Sequence, residues 1–100
     1  MKTTITEKDG KFVVAIEGEL DTDTCSQFKE DIQPLLDQAP KALEVDMQAL
    51  EYISSKALRI LISLQQAVVA KAGTFQVTNV QPAVREVFDM TGLSASMLQD

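Results

Sequence analysis

The chain has 100 residues, of which 45% are hydrophobic, and its formal net charge at pH 7 is -6. This length predicts a single domain, spanning residues 1–100, with one hydrophobic core. The sequence contains no histidine, which excludes a Ser-His-Asp triad, a Cys-His pair and a histidine-ligated zinc site. The single cysteine, Cys25, excludes an internal disulfide. We therefore expect a protein that is not an enzyme and that has no catalytic residue, metal ligand or cofactor.

The charge distribution bears on partners and location. The 15 acidic residues against 9 basic ones argue against nucleic acid, because binding a phosphate backbone requires a basic patch and these cations are scattered along the sequence. The residues after Met1 are polar and do not resemble a signal peptide. The longest apolar-rich stretch, residues 57–70, contains Arg59 and is too short to span a bilayer. We predict a cytoplasmic protein without membrane insertion, present as a monomer or weak dimer.

The first predicted element is a β-hairpin. Residues 3–7 and 11–18 have the composition of strands, and the second of them is rich in β-branched side chains. The dipeptide Asp9-Gly10 between them is typical of a tight two-residue turn. We therefore expect the chain to begin with two antiparallel strands.

A helix is predicted after the hairpin, with Thr22 or Asp23 as its N-terminal cap. Its apolar face consists of residues spaced i, i+4, i+7 and i+8, namely Phe28, Ile32, Leu35 and Leu36. Pro34 disagrees with an unbroken helix, because an interior proline lacks the backbone N–H. We therefore expect a kink, or an end near Gln33.

The rest of the chain alternates between strand and helix. The apolar spacing predicts four further elements, which are a strand at 42–47, a long helix from Ser54 to Gly73, a strand at 74–78 and a helix from Pro82 to Gly92. The predicted order is β-β-α-β-α-β-α. Because strands joined through helices pair in parallel, we predict an α/β fold with a mixed sheet, in which an initial hairpin is followed by parallel strands.

Four carboxylates occupy every second position at the end of the second predicted strand, at Glu17, Glu19, Asp21 and Asp23. Carboxylate oxygens are ligands for Mg²⁺ and Ca²⁺, but this spacing is not that of a calcium loop and no second acidic cluster accompanies it. The structural alternative is a solvated strand end leading into a helix whose dipole favours acidic residues. We favour a binding rim for a basic partner over a metal site.

Cys25 falls in the first turn of the first predicted helix, where the helix dipole favours a thiolate. No histidine is present to act as a base, and acidic residues precede the cysteine. We therefore expect Cys25 to pack in the core or on the helix surface and not to act as a nucleophile.

The stretch Ser54-Ser55-Lys56 lies between a strand and the most apolar helix. Backbone N–H groups at a helix start lack partners, so either serine is a candidate cap, which stabilises a helix by about 1 kcal/mol. The functional alternative is a phosphate on one of the serines, held at the helix N-terminus. Lys56 opposes the helix dipole at this position and would suit an added phosphate or a carboxylate such as Asp46 or Asp21.

Three stretches of the chain resemble motifs of one family. Residues 18–24 (GELDTDT) are similar to the Gly-x-Leu-Asp-x-x-Thr stretch of STAS domains, which include the bacterial anti-sigma-factor antagonists. Residues 50–59 (LEYISSKALR) resemble the family's strand-to-helix motif in its variant Tyr-Ile-Ser-Ser-Ala-Gly-Leu-Arg, and residues 79–93 resemble its closing helix. The three motifs occur in the family's order, and the resemblance covers the chain from about Thr3 to Leu98.

The resemblance implies a mixed sheet with helices packed mainly on one face. It also implies partner switching, in which the antagonist binds an anti-sigma factor that is itself a serine kinase. The kinase phosphorylates a serine at the N-terminus of the second helix, and a serine phosphatase reverses the modification. In this chain the implied phosphoacceptor is Ser55, with Ser54 as the alternative. The implied partner-binding residues are Asp21, Thr22, Asp23, Ser54, Ser55 and Lys56.

The chain departs from the family's pattern at the acceptor. The common form is Asp-Ser-Ser-Gly-Leu, and an ungapped alignment places Lys56 in the acceptor slot and Ala57 in the Gly position. Either Ser55 is phosphorylated one position earlier or the protein is not switched by phosphate, and we favour Ser55. Ala57 in place of Gly also predicts less room for a partner to approach the backbone. These departures motivate an alternative function, a non-phosphorylated STAS subunit of a transport complex of the lipid-transport ATPase type.

Overall fold

The computed structural model of the chain describes residues 1–38 and 40–98. Its elements, in chain order, are β1 (Lys2–Lys8), β2 (Lys11–Leu20), α1 (Cys25–Gln38), β3 (Ala42–Asp46), β4 (Leu50–Ile53), α2 (Ser55–Val69), β5 (Thr74–Thr78), α3 (Pro82–Met90) and α4 (Ser94–Met97). This order contains every predicted element and adds two short ones, β4 and α4. The α/β fold class is confirmed.

The predicted hairpin forms the start of the sheet. Strands β1 and β2 pair in antiparallel fashion from Lys2 opposite Glu17 to Lys8 opposite Lys11. Both turn residues have positive φ, 54° at Asp9 and 82° at Gly10. A two-residue turn of this kind requires positive φ at both positions, which is why Asp-Gly favours it.

The later strands pair in parallel, as predicted. The sheet order is β1-β2-β3-β5, and β4 pairs with β2 beyond this path. Strand β3 lies parallel to both β2 and β5, and β4 lies parallel to the last residues of β2. Strand β4 brings the end of the second predicted strand beside the segment that precedes α2, so it positions the candidate site.

The core lies between one face of the sheet and the helices, which confirms the predicted packing on mainly one face. Fully buried side chains of the strands meet those of the helices there, among them Val14, Ile16, Val45, Val77, Phe28, Ile32, Leu61, Leu64 and Phe88. The opposite face is partly solvated and carries polar groups, including Lys11 with Nζ 2.7 Å from Glu44 Oε1. The hydrogen bond from Lys11, and then one from Thr78, lowers the pKa of the Glu44 carboxyl.

Helix α1 continues through Pro34 to Gln38, so the predicted end near Gln33 is wrong. Proline removes one backbone hydrogen bond and is unfavourable inside a helix. Here Pro34 lies on the exposed side, while Ile32 and Leu35, 0% and 1% exposed, hold the flanking turns against the core. Burial of these two side chains offsets the missing hydrogen bond.

Helix α2 ends at Val69, four residues before the predicted stop at Gly73, and the side chain of Val69 is 56% exposed. The chain then turns through Ala72, whose φ is 60°. Gly73 lies where the backbone passes other groups closely. A Cβ at this position would lie 2.8 Å from the backbone oxygen of Lys41, which leads into β3.

Across residues 1–38 and 40–98, the helices are too short or too polar to cross a bilayer.

Candidate functional site

The candidate site lies where two neighbouring parallel strands end. Leu20, the last residue of β2, pairs with Ile53, the last residue of β4, and the backbone N–H of Ser54 donates to the carbonyl of Leu20 at 2.9 Å. Each strand is followed by a helix start, α1 in one case and α2 in the other. The Sγ of Cys25 and the Oγ of Ser54 lie 3.4 Å apart. The two stretches singled out in the sequence are therefore adjacent in the fold.

The loop before α1 is held by a reciprocal pair of hydrogen bonds. The backbone N–H of Thr24 donates to Asp21 Oδ1 at 2.9 Å, and the backbone N–H of Asp21 donates to Thr24 Oγ1 at 2.9 Å. Asp21 is therefore the capping residue, and the predicted caps Thr22 and Asp23 are wrong. The hydrogen bond from the Thr24 amide, followed by that from its hydroxyl, lowers the pKa of the Asp21 carboxyl. This bonding leaves Thr22 and Asp23 exposed at the surface.

Gly18 shapes the approach to this loop. Its φ of 92° is favourable for glycine, and its N–H donates to the carbonyl of Ala49 at 2.9 Å. The register between β2 and β4 shifts here, so that Glu19 lies opposite Tyr52 and Glu51 has no partner in β2. The four carboxylates of this stretch do not converge, and no group of three or more candidate ligands in the described part of the chain could hold a metal ion.

The two serines have different environments. Ser54 is 8% exposed and is the N-cap of α2, with its Oγ accepting a hydrogen bond from the backbone N–H of Ala57 at 3.2 Å. Capping is therefore confirmed for Ser54. Ser55 is the first residue of α2 and is exposed, as is Lys56. The hydroxyl that another protein can reach is the one of Ser55.

The carboxylates suggested as partners for Lys56 are occupied elsewhere. Asp46 Oδ1 accepts from the backbone N–H of Gln48 at 3.0 Å and from the side-chain amide of Asn79 at 3.2 Å. Asp21 is bonded to Thr24, as described above. Lys56 instead borders a groove between two helices.

We call this surface the α1–α2 groove; it has a volume of about 340 Å³ and is lined by Lys29 and Leu36 of α1 and by Lys56, Arg59, Ile60 and Ser63 of α2. No pattern in the sequence predicted this groove. The signal on α2 is a stripe at i, i+3, i+4 and i+7 that begins at Lys56 and is more polar than the buried face. The two sides of the groove come from separate motifs, so the stripe alone did not reveal a groove.

Two further residues change the expected surface. Ala57 is 0% exposed, so its methyl group packs inside the protein. The prediction that Ala57 takes room from a partner is therefore wrong. Tyr52 is 49% exposed and lies opposite Glu19, at the edge of the site. An aromatic residue three positions before a helix start is the sequence signal that could have identified it.

A family model described as "Mlab, STAS domain" matches residues 3–99 of the chain. The chain belongs to the STAS domain family. This STAS domain is 26% identical over 92 residues to BtrV of Bordetella bronchiseptica, named as a proposed anti-sigma factor antagonist, with 92% of this chain and 79% of BtrV covered.

Two further relatives extend the comparison. The STAS domain is 31% identical over 65 residues to the anti-sigma-F factor antagonist RsfB of Mycobacterium tuberculosis, a match that covers 65% of this chain and about half of RsfB, 53%. It is also similar to the crystal structure of an anti-sigma factor antagonist from Mycobacterium paratuberculosis, with a TM-score of 0.87 and 31% identity. That similarity covers 97% of this chain and 83% of the other.

Proposed function

We propose that this STAS domain is an anti-sigma-factor antagonist that binds a serine-kinase anti-sigma factor and is switched by phosphorylation of Ser55. The domain supplies a surface and a substrate hydroxyl and catalyses no reaction. A serine phosphatase restores the unmodified form. The proposed partner surface comprises Asp21, Thr22, Asp23, Ser55 and Lys56. Ser54, which the resemblance also implied as a partner-binding residue, is 8% exposed and caps α2.

The observation that carries this proposal is the contrast between the two serines. Ser54 Oγ is buried and accepts the capping hydrogen bond, so a phosphate there would have to displace the cap and enter the core. Ser55 is exposed at the first position of α2. Lys56 occupies the family's usual acceptor slot and has no hydroxyl, which leaves Ser55 as the acceptor at this helix start.

The names of two relatives support the same conclusion. BtrV and RsfB are both named as anti-sigma factor antagonists, and the chain matches them over 92% and 65% of its length. The proposal carries that activity over to this chain. The kinase and the phosphatase are part of the proposal through the family's pattern and the exposed Ser55.

A phosphate at Ser55 would change the surface strongly. It adds about 1.5 to 2 negative charges at pH 7 to the start of a helix, where the dipole favours an anion. Arg59 lies four residues along α2 from Ser55, at the spacing where side chains of one helix interact. The modification would therefore replace a neutral hydroxyl by an anion and pair nearby cations that a partner otherwise contacts.

Tyr52 belongs to the proposed surface as an anchor. It is 49% exposed beside Glu19, and tyrosine is enriched among residues that carry binding energy in protein interfaces. Its neighbour Glu51 is exposed as well. We expect a partner to cover the ring while contacting the loop at Thr22 and Asp23.

Intact-mass measurement after incubation with the cognate kinase and ATP tests the switch. Wild type should gain one phosphate, and Ser55→Ala should gain none. The matched control is Ser26→Ala, since Ser26 is likewise an exposed serine near the start of a helix, α1, and its loss should leave phosphorylation intact. A phosphate that persists in Ser55→Ala, or none on wild type, would refute the proposal.

A second candidate function follows from Lys56 in the acceptor slot. Under this second hypothesis, the domain is a non-phosphorylated subunit of a transport complex of the lipid-transport ATPase type. Purification from the native host distinguishes the two. A transporter ATPase subunit that co-purifies in place of a sigma-regulating kinase would favour the second function.

A further inference from the structure

The α1–α2 groove is bordered by cations, although the chain as a whole is acidic. Lys29, Lys56 and Arg59 line it, in a protein with 9 basic residues and a net charge of -6. None of the three forms an ion pair with another described residue. Three of the 9 basic residues thus line one groove, and none of the three pairs with a described carboxylate.

Two of the three acidic side chains of α1 are engaged along their own helix, and the third, Glu30, directly follows Lys29. Asp31 Oδ1 accepts from the side-chain amide of Gln27 at 2.8 Å, and Asp37 Oδ1 accepts from that of Gln33 at 3.3 Å. These bonds orient the two carboxylates toward glutamines and not toward the groove cations. The groove therefore remains a positive surface.

The shape of the groove fits a helix. On α2 the lining residues follow a stripe from Lys56 to Ser63, about 10 Å long at 1.5 Å per residue. On α1 they are Lys29 and Leu36, seven residues apart on the same side of that helix. Leu36 and Ile60 are partly buried and give the groove an apolar floor between its charged rims.

We propose that the α1–α2 groove binds an acidic amphipathic helix of a protein partner. Apolar side chains spaced at i, i+3 or i+4 and i+7 would contact Leu36 and Ile60, in the manner of other helix-in-groove interfaces. Glutamate or aspartate side chains flanking that stripe would pair with Lys29, Lys56 and Arg59. Nucleic acid and anionic membranes fit less well, because the net charge of -6 repels extended anionic surfaces.

The groove extends the proposed partner surface through Lys56, which follows Ser55 directly. The inference rests on the proposed function only for the identification of the partner as an anti-sigma factor. Binding of an acidic helix requires no phosphorylation, so the two proposals can fail separately. Kinase assays test one, and the peptide experiment below tests the other.

The test uses the whole domain and a fluorescein-labelled helical peptide of about 14 residues, or about four turns, with a leucine stripe flanked by glutamates. A second peptide carries lysine in place of every glutamate. Fluorescence anisotropy should show that the acidic peptide binds wild type at least about tenfold more tightly than the basic peptide, and more weakly at high ionic strength.

Matched charge variants locate the binding. Lys29→Glu combined with Arg59→Glu should lower the affinity for the acidic peptide by at least about tenfold. The control, Lys41→Glu combined with Lys71→Glu, changes the net charge by the same amount at exposed positions outside the groove. It should lower the affinity for the acidic peptide by less than about twofold. If circular dichroism shows that the charge-reversed groove variant is poorly folded, the neutral variant Lys29→Gln combined with Arg59→Gln replaces it. This variant should also bind the acidic peptide more weakly than wild type does.

Three results would overturn the inference. The first is equal affinity of wild type for the two peptides, and the second is an equal loss in both charge-reversal pairs, which would indicate general electrostatics. The third is binding of wild type to vesicles of anionic phospholipid without binding to the acidic peptide, which would assign the groove to a membrane surface.

Discussion

Replacement of Ser54 by alanine removes a buried cap while leaving the neighbouring hydroxyl in place. Ser54 Oγ accepts the N–H of Ala57 at 3.2 Å, and the two residues are 8% and 0% exposed. Loss of an N-cap costs about 1 kcal/mol, and water cannot reach the donor that is left. An unpaired buried donor adds about 1 kcal/mol more, so we expect Ser54→Ala to lower the free energy of unfolding by about 2 kcal/mol.

Thermal and urea denaturation followed by circular dichroism measure this loss. For a domain of this length, about 2 kcal/mol corresponds to a fall in Tm of roughly 10 °C. The control is Ser55→Ala, which removes an exposed hydroxyl one residue later and should change the free energy by less than about 0.5 kcal/mol. If the two variants have the same free energy of unfolding, or if Ser55→Ala is the less stable one, the assignment of Ser54 as the buried cap of α2 is wrong.

Three further predictions concern stability and reactivity. Because the pKa values of Asp21 and Glu44 are lowered in the fold, their contribution is present above the unfolded-state values and is lost as pH falls through the folded ones. The urea midpoint should therefore fall as the pH drops below about 5. The fall should be smaller in Asp21→Asn, and an equal fall in that variant would contradict the role of Asp21. Pro34→Ala restores a backbone donor on the exposed side of α1. It should raise the free energy of unfolding, measured by urea titration, by about 1 kcal/mol. A lower free energy of unfolding would show that the helix depends on proline. Cys25 is 0% exposed, so a thiol reagent should modify it only at the rate of unfolding, and rapid labelling in native buffer would contradict its burial.

Elements with regular apolar spacing could be predicted from the sequence. Strand β5 has the predicted bounds, and in β3 the buried residues Leu43 and Val45 alternate with partly exposed ones. Strand β4 was missed because its buried residues, Leu50 and Ile53, are separated by two exposed ones. That pattern has neither the period of a strand nor enough length to mark a helix. Its pairing depends on the register shift after Gly18, which is a property of two segments together.

The candidate site shows the same limit. The motifs identified the right stretches, but several residues could serve as the cap of each helix. Only the hydrogen bonds in the folded structure distinguish Asp21 from Thr22, or assign Ser54 to the cap and leave Ser55 at the surface. The α1–α2 groove could not be predicted, since Lys29 and Lys56 belong to different helices whose packing is set by the core.

The proposed switch requires that the surface around Ser55 bind an anti-sigma factor and release it on phosphorylation. Isothermal titration of the cognate anti-sigma factor against the unmodified domain and the Ser55-phosphorylated domain tests this most directly. The dissociation constant should rise by at least about tenfold on phosphorylation, equivalent to about 1.4 kcal/mol. Equal constants for the two forms, or no binding of the unmodified domain, would contradict the proposed function.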